Sequence, residues 1–156
     1  MTGLDLLPAG LVHAELLAGM HVVCFAEPWS HASMVEILSM PGAEGLIAVD
    51  RDSRSPGPTG PGPAGLVLWR RVLDEAEILT IAVLPPWRRQ GLGGVLLRAA
   101  MDAVAQVGAV SMFLEAAADN LPALELYRRH DFEQIGLRKG YYGGIDALVL
   151  RRGLEP

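Results

Sequence analysis

The stretch from Ala76 to Leu97, AEILTIAVLPPWRRQGLGGVLL, constrains this chain more than any other. It reads as a buried strand, a hard stop at Pro85-Pro86, a glycine-rich turn with two arginines, and then a helix. At a helix start the first amide N–H groups lack intrahelical acceptors, and the positive end of the helix dipole lies behind them. Glycines at 91, 93 and 94 let a phosphate approach the backbone with no Cβ in the way. The expectation is an anion site suited to a pyrophosphate. Three phosphate-binding patterns compete for this turn. A Walker loop is excluded, because it requires a Gly-Lys-Ser/Thr ending that is absent. A dinucleotide fingerprint meets Leu96 where its third glycine should stand. Glu115 does follow at a suitable distance, but the turn lies too far along a chain of 156 residues to leave room for a doubly wound fold. The third pattern is Arg88-x-x-Gly91-x-Gly93 after an abruptly ended strand.

The flanking segments set the architecture. Leu4 to Leu7 reads as a short strand stopped by Pro8. Between Leu11 and Phe25, the residues Leu11, Ala14, Leu17, Ala18 and Val22 recur at helical spacing. Glu27-Pro28-Trp29 breaks that helix, and Ser30 is placed to cap a second one through Met40. Gly45 to Asp50 leans toward strand. Arg51 to Gly65, dense in Pro and Gly, reads as a long hairpin loop, since about 50 residues before it are too few for a separate core. Gly65–Leu73 and Ala76–Leu84 follow as strands joined by a turn at Asp74-Glu75. A helix from Gly93 to Val107 puts Leu96, Ala99, Ala100, Ala103 and Val107 on one face and ends at Gly108. Val110–Ala116 is a strand, Asn120 caps a helix to about His130, and Phe132–Lys139 and Ile145–Arg152 close the chain as strands. The expected fold is a mixed α/β domain over residues 1–156, with six to seven strands and about four helices.

Bulk properties exclude several classes. A formal charge of −5 argues against a direct nucleic-acid binder. No apolar run is long enough to span a membrane, and the N-terminal MTGLDLLPAG lacks the basic start of a signal peptide. Cys24 is the only cysteine, so a reducing cytoplasm fits best. His13, His21, His31 and His130 form no metal-binding spacing and read as structural or surface residues; no metal is expected. Cys24 reads as a buried small residue rather than a nucleophile.

The Arg88–Gly93 pattern resembles the pyrophosphate loop of the GNAT superfamily of acetyl-CoA-dependent N-acetyltransferases. Over Glu27 to Leu150 the chain is similar to the bacterial ribosomal-protein-alanine N-acetyltransferases of that superfamily. The matching pieces are Glu27-Pro28-Trp29-Ser30, the strand Ala76–Val83, WRRQGLGGVLL, Leu114-Glu115-Ala116, Asn120, Leu126-Tyr127 and Arg138-Lys139-Gly140-Tyr141-Tyr142. Three features depart from the pattern. Asp131-Phe132 stands where the family has Gly-Phe, the Pro/Gly loop is longer, and the segment after Tyr142 is short.

The resemblance implies acetyl-CoA as co-substrate and a direct attack by the acceptor amine. The amides of Arg89, Gln90, Gly91, Leu92, Gly93 and Gly94 would grip the pyrophosphate, and Arg88 and Arg89 would add local positive charge to the same coenzyme site. Ile81, Ala82 and Val83 would pair with the pantetheine arm as an added strand and supply an oxyanion donor, and the Asn120 side chain would touch the coenzyme. The resemblance makes Glu115 the base that takes a proton from the acceptor ammonium, and Tyr127 the acid that protonates the departing thiolate. Trp29, Tyr141 and Tyr142 would wall the acceptor slot. A chain-terminal amine with a pKa of about 7.7–8.0 is roughly a tenth neutral at pH 7, and a lysine near 10.4 is below a thousandth, so a carboxylate base suits a protein N-terminus better. The other readings are acetylation of a lysine or a small amine on the same fold, and a coenzyme-A-binding module without catalysis, which would need neither Glu115 nor Tyr127.

Overall fold

The computed structural model describes residues 3–51 and 62–154. Strand β1 (Leu4–Ala9) leads through a 3-10 turn at Leu11–His13 into helix α1 (Ala14–Cys24). Helix α2 (His31–Leu38) and strands β2 (Ala43–Asp50), β3 (Gly62–Val72) and β4 (Glu75–Val83) follow. Helix α3 (Leu92–Gln106), strand β5 (Ser111–Ala117), helix α4 (Leu121–Arg129) and strands β6 (Glu133–Tyr142) and β7 (Ile145–Gly153) complete the order. The strands form one mixed sheet in the order β1-β2-β3-β4-β5-β7-β6. The mixed α/β class expected from the sequence is the one found. The parallel ladder between β4 and β5 covers only Glu75–Glu77 and Ser111–Phe113.

The chain divides into two compact units, residues 1–70 with 79–100, and residues 71–78 with 101–156. In the first, Ala14, Leu17, Ala18 and Met20 of α1 pack with Met34, Ile47, Leu66, Leu68 and Ala82. Leu11 and Val22, expected on the same face of α1, are exposed. Leu11 lies in the 3-10 turn, which winds differently, and in the 14/17/18/21 stripe the inward position belongs to His21, one residue before Val22. Ser30 caps α2 as expected, its Oγ accepting from the Ser33 amide at 3.1 Å. Pro8 does not stop β1, which continues to Ala9 with Pro8 opposite Leu46. Because β1 is an edge strand, a proline there can direct its missing donor away from the ladder.

The expected loop at 51–65 falls mostly on residues 52–61, which lie outside the described residues. Its last four residues already belong to β3. Gly65 is where β3 meets the start of α3: a Cβ there would sit 2.9 Å from the Ala82 carbonyl oxygen and 3.1 Å from a Leu96 methyl. Gly65→Ala is therefore expected to destabilise the protein by about 1–3 kcal/mol, read as a lowered urea midpoint with unchanged slope. An unchanged midpoint would mean that the helix has room to move off the strand.

The buried stripe of α3 is Leu92, Leu96, Ala100 and Val104, flanked by Leu97 and Met101. Val107, expected on this stripe, is 57% exposed. The helix stops at Gln106, and the Gly108 and Ala109 amides turn back to Ala105 (3.1 Å) and Val104 (2.9 Å), which takes Val107 out of the helical repeat. In the second unit Met112, Leu114 and Ala116 of β5 are buried, as are Ala147, Leu148 and Leu150 of β7 and Leu124, Tyr127 and Phe132. Asp131 takes the left-handed backbone (φ 66°) in which the resembled family uses glycine. The Phe132 amide reaches the Tyr127 carbonyl at 3.1 Å and the Asp131 amide the Arg128 carbonyl at 3.0 Å, so a helix-ending turn forms with an aspartate in the left-handed position.

Candidate active site

The glycine turn is built from the end of β4. Inward and outward residues alternate along that strand, with Ala76, Ile78, Thr80 and Ala82 buried and Leu79, Ile81 and Val83 half-buried. Pro85 and Pro86 end it in a 3-10 turn whose Trp87 is buried and donates from Nε1 to Asp50 Oδ2 at 2.7 Å. Two side chains then fold the loop back on itself. Arg88 Nε donates to the Val83 carbonyl at 2.8 Å, and Gln90 Nε2 to the Pro86 carbonyl at 3.1 Å. Arg88 thus serves the loop's shape as well as its charge. Arg89 (φ 64°) and Gly91 (φ 83°) both take left-handed backbone. The Gly91 carbonyl accepts the Val95 amide at 3.2 Å, so the amides of Leu92, Gly93 and Gly94 stand at the helix start, ahead of the first intrahelical donor. A Cβ on Gly91 would meet nothing within 4 Å. The turn is an open cradle of amides, which fits a pyrophosphate. Of Leu92 only the backbone is on offer, since its side chain is buried.

Also in the first unit, Trp29 is held by a residue that sequence reasoning assigned no site role. His21 Nδ1 accepts the Trp29 amide at 3.0 Å, which leaves Nε2 to donate to Thr80 Oγ1 at 3.0 Å. The imidazole lies between the rings of Phe25 (centroids 4.1 Å) and Trp29 (4.9 Å). Only 2% exposed, it has its pKa lowered to about 4 by burial. The sequence signal for His21 is its place in the spacing 14, 17, 18, 21, where the expected repeat runs to Val22 instead. Cys24 is half-buried and donates to the Val83 carbonyl at 3.7 Å. Burial raises its pKa against the opposing pull of Arg88, the environment of an unreactive thiol.

The second unit carries the acid–base candidates. Glu115 sits on β5 opposite Val149 of β7, and its carboxylate is 2.8 Å from Arg138 Nε of β6. The Arg138 guanidinium lies 5.4 Å from the centre of the Tyr141 ring, which meets Tyr142 edge-on at 5.1 Å. The Tyr142 pKa is raised first by burial and then by the negative charge of Glu115, so phenol and carboxylate feel each other directly. The β6 ladder is irregular between Arg138 and Tyr142, and the Gly140 amide there is tied to Asp146 Oδ1 at 2.9 Å. The structure therefore brings together Glu115, Tyr141, Tyr142 and Arg138. Sequence reasoning had Arg138 only as part of a matching run.

Tyr127, on α4, is 6% exposed and edge-on to Phe132 at 6.0 Å. Its pKa is pushed up to about 12, chiefly by burial and then by Tyr142, so it stays protonated at neutral pH. Asn120 is confirmed as the cap of α4, its Oδ1 accepting from the Ala123 amide at 3.4 Å. Among the described residues no group of three or more His, Cys, Asp or Glu is arranged to hold a metal, and no helix is long and apolar enough to cross a membrane.

The acetyltransferase (GNAT) family model matches residues 15–132. The chain is 39% identical over 129 residues to the N-alpha-acetyltransferase RimI of Mycobacterium tuberculosis, covering 81% of this chain and 76% of that protein. It is 36% identical over 91 residues to the Escherichia coli [ribosomal protein bS18]-alanine N-acetyltransferase, covering 56% of this chain and 62% of that one. Among solved structures, the E. coli ribosomal-protein-S18-alanine N-acetyltransferase superposes with a TM-score of 0.84 at 24% identity, over 98% of this chain and 95% of that one. Arabidopsis thaliana NAA60 in complex with acetyl-CoA reaches the same TM-score at 19% identity, over 97% and 98%. At those identities the two structures speak for the fold alone. The family match takes in the glycine turn, Glu115 and Tyr127 and runs through well over half of the sequence, and the chain belongs to the acetyltransferase (GNAT) family.

Proposed function

We propose that this chain acetylates the N-terminal α-amino group of a protein in the cytoplasm, with acetyl-CoA as donor, and that the acceptor is a ribosomal protein beginning with alanine. The names of its sequence relatives support the acceptor class. The observation that carries the reading is the presence of two unlike groups in one unit, a Glu115 carboxylate in contact with Arg138 and a Tyr127 held protonated. Transfer of an acetyl group from a thioester to an amine needs both a proton acceptor and a proton donor. The reading treats residues 1–156 as one domain.

Each part of the chain has a task in this reading. Acetyl-CoA brings an activated acetyl group as a thioester. The amides of the 88–94 turn would hold its pyrophosphate, and Arg88 and Arg89 add positive charge there. The β4 edge at Ile81–Val83, beyond the short ladder with β5, would bind the amide-bearing arm through backbone hydrogen bonds and polarise the carbonyl. Glu115 takes the acceptor's proton, directly or through water, and Tyr127 returns one to the leaving sulfur. Trp29, Tyr141 and Tyr142 would flank the acceptor, and Asn120 would contact the coenzyme beside its capping role.

The deciding experiment is acetyl-CoA turnover on a library of peptides that differ in their first residue, with N-acetylated and internal-lysine peptides as controls. Turnover confined to free N-termini with small first residues is expected. Turnover on lysine side chains alone would replace the acceptor class, and coenzyme binding without turnover would remove the catalytic reading.

The glycine turn has its own prediction. Gly91→Val is expected to raise the KM for acetyl-CoA by about tenfold and to cost about 1–2 kcal/mol of stability, because a branched side chain resists a φ of +83° even in open space. An unchanged KM for acetyl-CoA would remove the turn from the donor site.

A further inference from the structure

The Glu115–Arg138 pair works against the role assigned to Glu115. The guanidinium, 2.8 Å from the carboxylate, occupies lone pairs that an acceptor amine would have to reach. The pair also has an unusual reach. Glu115 stands opposite Val149 on β7, Val149 stands opposite Gly136 on β6, and Arg138 lies two residues beyond Gly136 on the same face. The guanidinium therefore crosses β7 diagonally to reach the carboxylate. Its origin is the edge strand of the sheet, exposed along nearly its whole length. The side chains differ in access: 57% of the Arg138 side chain is exposed, against 19% for Glu115. The carboxylate is thus partly enclosed, and the cation covering it comes from solvent. An ion pair of this kind is easily exchanged. Arg138 also has a second contact at hand, the face of the Tyr141 ring at 5.4 Å.

We propose that Arg138 is a placeholder for the acceptor's ammonium group. Its guanidinium neutralises Glu115 while no acceptor is bound, yields that position to the positively charged N-terminus, and meanwhile rests on the Tyr141 ring. The inference rests on the reading of Glu115 as the group that receives the acceptor amine. One cation replaces another at the carboxylate, so the local charge is conserved through the exchange. One ammonium proton passes to Glu115 and on to solvent, the C–N bond forms as the C–S bond breaks, the sulfur takes the proton of Tyr127, and the second nitrogen proton replaces the one Tyr127 gave, so the product N-terminus is a neutral amide. The carboxylate is then free to take Arg138 back. Arg138 is a positioning residue here, since it acts through Glu115 and leaves the reacting atoms untouched.

The test compares the wild type with Arg138→Gln and Arg138→Lys. Each is assayed with acetyl-CoA and an alanine-initiated peptide, and with the N-acetylated form of that peptide as inhibitor. In Arg138→Gln the KM for the free peptide is expected to fall several-fold, because the ammonium no longer competes with a resident cation. The inhibition constant of the acetylated peptide, which carries no ammonium, should stay where it is. Arg138→Lys keeps a cation and should keep a KM near that of the wild type. A rise in KM in Arg138→Gln would overturn the proposal and make the arginine a structural support for Glu115. An unchanged KM would overturn it as well, by showing that the pair has no part in acceptor binding. If the wild type itself acetylates no free N-terminus, the functional reading fails and takes this inference with it. Turnover by the wild type without the fall in KM sinks the placeholder alone.

Discussion

Glu115→Gln is expected to lower kcat/KM for an alanine-initiated peptide by about 10²-fold or more, the usual contribution of a positioned proton acceptor. Gln has almost the same shape and keeps a carbonyl oxygen, so the loss reports the missing base rather than a hole in β5. Tyr127→Phe removes one oxygen from a buried ring and leaves the contact with Phe132 in place. Its kcat should also fall about 10²-fold, with little change in the KM for either substrate. Because burial pushes the Tyr127 pKa up to about 12, ionisation of this phenol should produce no alkaline loss of activity below about pH 10. If both variants turn over at wild-type rates with saturating substrates, the acid–base scheme is wrong even though the family assignment stands.

His21 makes the second large prediction, in stability. The folded chain resists protonation of this imidazole down to about pH 4, whereas the unfolded chain takes up the proton near the ordinary imidazole value of 6.5. Between those pH values the unfolded state binds more protons, so stability is fully present above about pH 6.5 and falls as the pH drops toward 4. At 1.36 kcal/mol per pKa unit the full loss is roughly 3 kcal/mol, on the order of a third of a typical domain's stability. The physical cause is visible. Protonated Nδ1 could no longer accept the Trp29 amide, and a charge would stand between two aromatic rings out of water. His21→Leu should remove this acid sensitivity and cost about 2–4 kcal/mol at pH 7.5, since Thr80 Oγ1 and the Trp29 amide lose their partner. Urea titrations of both proteins at pH 7.5 and 5 are the check. Parallel pH profiles would show that His21 is not the group responsible.

The candidate site was legible to different depths in its two units. In the first unit the turn at Arg88–Gly94 was readable because its features are local: two prolines to end a strand, and glycines where a ligand must approach backbone. The sequence offers the backbone of this turn and the charge of its arginines to a phosphate, and the structure adds that the side chains of Arg88 and Gln90 fold the loop onto Val83 and Pro86. In the second unit Glu115 and Tyr127 were found through resemblance, since a carboxylate ending a strand and a tyrosine on a helix announce nothing by themselves. Arg138 was missed as a partner of Glu115 because their pairing depends on β6 and β7 lying side by side with an irregular register. Tyr141 and Tyr142 take a defined setting from the same register.

What the sequence by itself determined is the local grammar. The strand before Pro85-Pro86 and its stop there, the caps at Ser30 and Asn120, and the turn at Gly108 each depend on a few adjacent residues, and each formed where expected. Even the exceptions obey local rules, as where Asp131 adopts the left-handed backbone expected of a glycine. What only the tertiary structure decided are the contacts between distant positions. His21 meets Thr80 across 59 residues, Trp87 reaches Asp50 across 37, and Gly65 is pressed against Leu92 and Leu96. Such contacts follow from how a twisted sheet and its helices fill space together, and no spacing in the sequence encodes the registers that bring them about. The same holds for the cation that covers Glu115.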